Sequence, residues 1–393
     1  MATGTSAGLL DSSDHAQSVF KHAIIRHYMP PFLAMTGSTS KQRRVVVLDG
    51  FAGRGRYPDG TPASAELIMQ AVRGLQGSRK VAMFFVEKDP EYYQPLEAVV
   101  REYAARGLEA RALPGSAEDH LDSVIRAAHG VPLFVFLDPC GALLPFQRLA
   151  RMVGKSRRGT RPATEVLLNF SAGFTRRAAG QLAAGRADQA AIARLDTTCG
   201  GPWWRGVAMD AQRSATGRNF EPAAKAVVTR YAQRLAQAGA MLPVTVPVRR
   251  RLHHQPVYHL VFLTRSPYGL WVFAEALGAA RQAWLESIGR LDDDNATGQA
   301  TLWSSADSMQ WLIDSEKARA QEIVQGNLRQ LAASVGPFRL LNQTLAVFGQ
   351  AYGVATESTV STAIRALADS GELVIRQQGN RLRETVIGPA WAA

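Results

Sequence analysis

Four short groups of residues have the types and spacing to hold a ribose-bearing ligand and do chemistry on it. The first is Asp49-Gly50-Phe51-Ala52-Gly53-Arg54-Gly55, which follows the apolar run at 45–48. Gly50, Gly53 and Gly55 permit a tight turn, with positive φ where needed, and let a ligand approach bare backbone. That loop would meet the ligand through its backbone N–H groups. The spacing Asp-Gly-x-x-Gly-x-Gly departs from the dinucleotide fingerprint. The second group is Glu87-Lys88, after the run at 81–86, where a carboxylate can accept hydrogen bonds from both ribose hydroxyls. Ser116-Ala117-Glu118 comes third, where an adenine edge would lie. The fourth, Asp138-Pro139-Cys140-Gly141, ends the run at 132–137, beside the place where a reactive group would point. Asp138 and the Pro139 carbonyl suit an exocyclic amino group, because both accept hydrogen bonds and both stabilise developing positive charge.

Plainer readings exist for several of these residues. Glu87 also fits a solvated strand terminus, and Asp138 also fits the cap of a helix starting near Pro145. Cys140 has no base placed beside it, so it reads as a small buried residue rather than a nucleophile. His253, His254 and His259 lack metal-ligand spacing with any carboxylate or cysteine cluster, so no metal is expected.

The elements that must position these groups alternate strictly. Strands are expected at 45–48, 81–86, 109–113, 132–137 and 165–170, with helices at 65–72, 90–105 and 118–128 between them. Strands too apolar to face water require a parallel sheet covered by helices on both sides. Right-handed crossovers then bring every carboxyl end, and all four groups, to one edge. A helix capped by Asp14 precedes the sheet and is interrupted at Pro30-Pro31. The basic segment Lys41, Gln42, Arg43, Arg44 leads into the first strand. An alanine- and arginine-rich helical insertion spans 175–242, broken near Gly200-Gly201-Pro202. Strands at 244–248 and 257–263 would close the sheet as an antiparallel pair.

Helix then runs from 270 to about 332, with a polar break at 292–295. Beyond Gly336-Pro337 an amphipathic helix is expected at 338–352. A second helix follows, capped by Thr356 and carrying Val360, Ile364 and Leu367 on one face. Strands at 373–376 and 381–387 then form a hairpin. Two helices followed by a hairpin is the pattern of a winged helix. The expected architecture is therefore an α/β Rossmann-like sheet domain at 41–275, with a helical extension at 1–40, a helical linker at 276–335 and a winged helix at 336–393.

Composition narrows the partners. The 393 residues are 46% hydrophobic and 20% charged, with a net charge of +12 and a pI near 10.1. Such a balance suits a globular protein with a polyanionic partner, nucleic acid. Two cysteines are too few for a disulfide framework. The absence of a long apolar segment or an N-terminal leader pattern points to a cytoplasmic protein with no membrane contact. Arg176 and Arg177 follow the fifth strand and are expected to meet phosphate on the active edge. Lys155, Arg157, Arg158 and Arg161 precede that strand and read as a solvated loop. In the winged helix, Ser358, Ser361, Thr362 and Arg365 would face a nucleic-acid groove, with Arg376, Arg381 and Arg383 on the wing.

Asp49-Gly50-Phe51-Ala52-Gly53 with Gly55, Phe85-Val86-Glu87-Lys88-Asp89, Phe136-Leu137-Asp138-Pro139-Cys140-Gly141 and Glu165-Val166-Leu167-Leu168-Asn169-Phe170 together resemble the three-Cys-motif partner family. Tyr258-His259-Leu260-Val261-Phe262 resembles its closing strand, and the likeness covers about 21–275. It implies a class I S-adenosylmethionine-dependent methyltransferase fold, with Asp49, Gly53, Gly55 and Glu87 holding the cofactor and Asp138 facing the acceptor. It also implies a three-cysteine-motif partner protein. That family usually carries Asp-Pro-Phe-Gly at the fourth strand, similar to guanine-N2 transfer RNA methyltransferases. Cys140 replaces the aromatic residue, so Phe146, Phe170 or Phe174 would have to stack the base. The expected function is methylation of a base amino group, adenine N6 or guanine N2. The alternatives are an accessory protein without turnover and a methyltransferase of small molecules.

Overall fold

Apolar runs bounded by charge become strands where both faces are covered, and the parallel sheet forms from five of them. The computed structural model describes residues 15–139, 141–154, 157, 163–186, 188–215, 217, 219–295 and 305–390. It contains two compact units: residues up to Ser18 with Phe32–Arg265, and Val19–Pro31 with Ser266 onward.

A helix, α1 (Ala16–Thr39), opens the chain. In the first unit, β1 (Arg44–Asp49), β2 (Lys80–Glu87), β3 (Glu109–Pro114), β4 (Leu133–Leu137) and β5 (Thr164–Phe170) are parallel, and β6 (Leu242–Val248) and β7 (Tyr258–Thr264) complete the sheet. The order is β3-β2-β1-β4-β5-β7-β6, with β7 antiparallel to both its neighbours. The chain therefore reverses direction across the sheet between β1 and β4, and the crevice outside their carboxyl ends is where such sheets bind ligands. Asp49 and Asp138 stand at that crevice.

The crossover helices are α2 (Ser64–Arg73), α3 (Pro90–Ala105), α4 (Ala117–Ala127) and α5 (Phe146–Val153). The insertion folds as α6 (Ala172–Ala183), α7 (Gln189–Cys199), α8 (Trp203–Arg213) and α9 (Glu221–Gly239). One core cluster joins Val46, Leu48, Val135, Leu137 and Leu168 to Leu121 of α4, Leu149 of α5 and Tyr231 of α9.

The second unit holds α10 (Pro267–Asn295), α11 (Ser305–Val335), β8 (Phe338–Arg339), α12 (Thr344–Phe348), α13 (Glu357–Asp369), β9 (Leu373–Gln377) and β10 (Val386–Pro389). Its strands lie in the order β8-β10-β9, antiparallel throughout. Val360, Ile364 and Leu367 of α13 are buried, as the sequence pattern predicts. Among the described residues no helix is long and apolar enough to cross a membrane.

Several expectations are corrected. Pro30 and Pro31 do not interrupt α1. Proline removes the bonds to the carbonyls of Arg26 and His27, but both residues are exposed, where water can satisfy them, while Tyr28, Met29, Phe32 and Leu33 are buried. The segment 338–352 is not one helix: β8 pairs with β10, and Leu340 N–H donates to the Thr385 carbonyl at 3.1 Å. Its last part turns at Gly349, at φ 49°. The stretch 381–387 begins as a short 3-10 turn at Leu382–Glu384, and only its end joins β10.

Arg157 is not in a solvated loop. It is 1% exposed, and its guanidinium donates to Thr164 Oγ1 at 3.0 Å, to the Val131 carbonyl at 2.6 Å and to the Ala128 carbonyl. Lys155, Arg158 and Arg161 lie outside the described residues.

Candidate active site

The loop after β1 is held by its own N–H groups. Gly50 N–H donates to the Phe136 carbonyl at 2.9 Å and Ala52 N–H to the Val86 carbonyl at 2.9 Å, tying the loop to β4 and β2. Phe51 N–H donates to Asp49 Oδ1 at 3.2 Å, and Gly53 N–H to Glu87 Oε2 at 2.9 Å. The glycines are sterically required at two points. A Cβ on Gly50 would lie 2.6 Å from Leu137 Cδ2, and one on Gly55, at φ 75°, 3.1 Å from Leu96 Cδ1. The expectation that this loop offers N–H groups to a ligand is therefore corrected for Gly50, Phe51, Ala52 and Gly53, whose donors are already used.

Carboxylates converge on this loop. Asp49 is fully buried, accepts from Ser64 Oγ–H at 2.6 Å, and has its pKa pushed up from 3.8 to about 7. Burial is the main cause. The Ser64 and Phe51 hydrogen bonds oppose it, and the nearby charges of Asp138 and Glu87 add to it. Glu87, at the end of β2, also accepts from Asp89 N–H at 2.8 Å, so its carboxylate braces both the glycine loop and the start of α3. Each carboxylate oxygen keeps further lone pairs for a ligand hydroxyl.

Asp138, half-buried after β4, does not cap α5, whose N-cap position is Pro145. Its Oδ1 instead accepts from Asn169 Nδ2–H at 2.7 Å. Asn169 is a polar residue inside the otherwise apolar β5 and is 7% exposed. Neither Asn169 nor Ser64 was expected in the site. The available signal for Asn169 was its break in the apolar run, and Ser64 carried none beyond its place at the start of a helix.

The remaining candidates are placed as follows. Ser116 caps α4 through a reciprocal pairing with Asp119, and Ala117 is buried 3.1 Å from where a Gly50 Cβ would sit. Lys88 and Gly141 are exposed and Pro139 is buried; Cys140 lies outside the described residues. The cation Arg54 stacks over the Tyr92 ring at 5.5 Å. Phe146 and Phe170 cannot stack a base: both are core residues packed on Tyr231, at 5.8 and 4.8 Å between ring centroids. Phe174 is partly exposed. Among the described residues no group of three or more His, Cys, Asp or Glu side chains is arranged to hold a metal ion.

On α6, Arg177 is exposed, while the partly buried Arg176 donates to the Pro256 carbonyl. Burial lowers the Arg176 pKa, against the opposing charge of Glu221.

In the second unit, Ser358, Thr362 and Arg365 of α13 are exposed and Ser361 is half-buried. Ser358 and Thr362 also line a cavity of about 660 Å³ together with Gln282, Lys317 and Gln321. Arg381 is exposed, as is Arg376, which donates to the Pro389 carbonyl at 2.8 Å. Arg383 is not a wing contact. It is 6% exposed, lies 4.2 Å over the Tyr268 ring, donates to the Tyr268 hydroxyl, and pairs with Glu357 at 3.1 Å.

No family model matches the chain, and no curated protein matches it. Among solved structures it is similar to a geranyl diphosphate methyltransferase in complex with GPP and sinefungin, at 11% identity over 60% of this chain and 76% of that one, TM-score 0.26. The methyltransferase domain of bacterial CtHen1-CN is matched at 10% identity over 56% and 89%, TM-score 0.27. An uncharacterized protein of Listeria monocytogenes serotype 4b is matched at 10% identity over 84% and 97%, TM-score 0.26. Likeness at this level transfers no activity, and the Rossmann-like fold stands on the chain's own sheet order.

Proposed function

We propose that the chain is an S-adenosylmethionine-dependent methyltransferase whose acceptor is an exocyclic amino group of a nucleic-acid base, adenine N6 or guanine N2. One observation carries this reading: at the topological switch point, a glycine loop whose N–H groups from Gly50 to Gly53 are spent internally is faced by Asp49, Glu87 and Asp138. A pyrophosphate at such a loop needs free backbone N–H donors, which Gly50 to Gly53 do not offer. A ribose-bearing ligand with sulfonium and ammonium charges is matched instead by acids around the loop, so these residues fit S-adenosylmethionine. Asp49, the 50–55 loop and Glu87 would hold it, with Glu87 on the ribose and Lys88, Ser116 and Ala117 bordering the purine.

When bound, this cofactor supplies an electrophilic methyl group. The chain's own residues do the positioning. Asp138, oriented by Asn169, and the Pro139 carbonyl accept the amino N–H bonds and hold the nitrogen in line. They would stabilise the positive charge that develops on that nitrogen as it accepts the methyl group. The proton lost from that nitrogen passes to water. Phe174 is the candidate surface for a base turned into the pocket.

Nucleic acid as acceptor is supported by the net charge of +12 and by the exposed Arg177. The second unit adds to this, because its order of helix, strand, two helices and hairpin is that of a winged helix, with Ser358, Ser361, Thr362, Arg365, Arg376 and Arg381 available to a groove. The likeness to the three-Cys-motif partner family adds a three-cysteine-motif protein as a partner.

The test is calorimetric titration with S-adenosylmethionine, followed by labelled-methyl transfer to oligonucleotides. Glu87→Ala is expected to lose cofactor binding. Asp138→Ala is expected to bind as the wild type does and to lack transfer. A wild type that does not bind the cofactor overturns the methyltransferase reading. Binding without transfer to any oligonucleotide makes the protein an accessory of a partner enzyme.

A further inference from the structure

The amino edge of the parallel sheet, opposite the edge that carries Asp49 and Asp138, holds a cavity of about 490 Å³. It lies at the starts of β1, β2 and β3, with Val72, Val81 and Leu108 as apolar lining and Arg43, Arg79 and Lys80 as cations. Glu109, the acid among its described lining residues, is already paired with Arg44 at 2.9 Å. The lining therefore carries positive charge in excess.

That charge is set in place by neutral groups. Arg79 donates through Nε and Nη2 to the Ala34 carbonyl, at 3.2 and 2.7 Å, and through Nη1 to the Ser78 carbonyl at 2.8 Å. Gly37 makes room for it, since a Cβ there would lie 2.5 Å from Arg79 Cδ. Gln42 and Arg43 both take left-handed backbone, at φ 58° and 55°. Residues other than glycine adopt this only where their surroundings impose it, and such positions cluster at ligand sites. The basic run from Lys41 to Arg44 has no part in the proposed transfer.

We infer that this cavity is a phosphate-binding site, with Arg43, Arg79 and Lys80 as its ligands. A phosphate ester supplies the dispersed negative charge that a lining with three cations lacks, and guanidinium groups match its oxygens. The phosphate comes from a nucleic-acid backbone or from a free phosphorylated molecule. The site stands independently of the methyl-transfer reaction.

The experiment compares the full chain with the Arg43→Gln/Lys80→Gln variant, both positions being exposed. Inorganic pyrophosphate is titrated by calorimetry, and a labelled single-stranded oligonucleotide by fluorescence anisotropy over a range of salt. The control is Arg151→Gln/Arg194→Gln, which removes equal charge from exposed positions on α5 and α7. Pyrophosphate is expected to bind the wild type and the control, and to bind the variant at least about tenfold more weakly. For nucleic acid, the slope of log affinity against log salt becomes shallower by about 1.4 in the variant, about 0.7 per lost contact. Pyrophosphate binding lost with an unchanged slope assigns the site to a free phosphorylated molecule. Equal effects in the control, or no pyrophosphate binding by the wild type, overturn the proposal.

Discussion

Asp49→Asn is expected to stabilise the protein above neutral pH and to leave it little changed in acid. Asp49 is fully buried, and its pKa rises from 3.8 to about 7, chiefly because burial penalises the charged carboxylate. The folded state therefore holds a proton that the unfolded state releases, and stability falls as pH rises from 3.8 through 7. At about 1.4 kcal/mol per pH unit, the full penalty is about 4 kcal/mol, of which about 2.5 kcal/mol develops between pH 5 and pH 8. Asparagine is isosteric and uncharged. Its Oδ1 keeps the Phe51 N–H bond, and its Nδ2–H can donate to Ser64 Oγ once that hydroxyl turns. Urea denaturation of both proteins at pH 5 and pH 8 measures the difference. The variant should gain about 2.5 kcal/mol on the wild type between the two conditions. Titrating groups other than Asp138 and Glu87, whose charges act on Asp49, are common to both proteins and cancel. A variant destabilised equally at both pH values would show that the carboxylate is ionised and well paired, which refutes the reasoning.

Two further outcomes are expected. Arg157→Leu leaves the Ala128 and Val131 carbonyls and Thr164 Oγ1 without their donor, at a cost of about 3 kcal/mol; a loss below about 1 kcal/mol in urea denaturation would contradict the role given to this guanidinium. His259 is buried, and its pKa is pulled down from 6.5 to about 4 by burial, then by Arg249, Arg176 and Lys225. Its neutral form is the folded form, so the stability present above pH 6.5 is lost as pH falls through 4, up to about 3 kcal/mol. Thermal melting of His259→Phe at pH 4.5 and 7.5 should show a shallower acid loss than the wild type, and an unchanged one would sink this account.

The sheet was legible because its signal is local. Runs such as 45–48 and 132–137 are buried on both faces, and strict alternation with helices leaves parallel pairing as the way to cover them. Once the carboxyl ends share an edge, the residues that end each run, Asp49, Glu87 and Asp138, are brought together without further information. The buried face of α13 was legible for the same reason, since helical periodicity states it directly.

Where side-chain partners come from distant parts of the chain, residue type misled. Arg157 read as part of a solvated loop and Arg383 as a nucleic-acid contact on the wing, because a charge is usually exposed. Whether a cation is buried depends on acceptors contributed elsewhere: carbonyls at 128 and 131 for Arg157, and Glu357 with Tyr268 for Arg383. Phe146 and Phe170 read as stacking surfaces until Tyr231, from the insertion, enclosed them. Asn169 acquired its role only when β5 paired beside β4 and set its amide against Asp138. By itself the sequence determined the element order and the edge that carries the carboxylates, since periodicity and chirality act over short stretches. The tertiary structure alone decided which polar groups are buried and what each donates to, because desolvation and hydrogen bonding depend on neighbours far away in the chain.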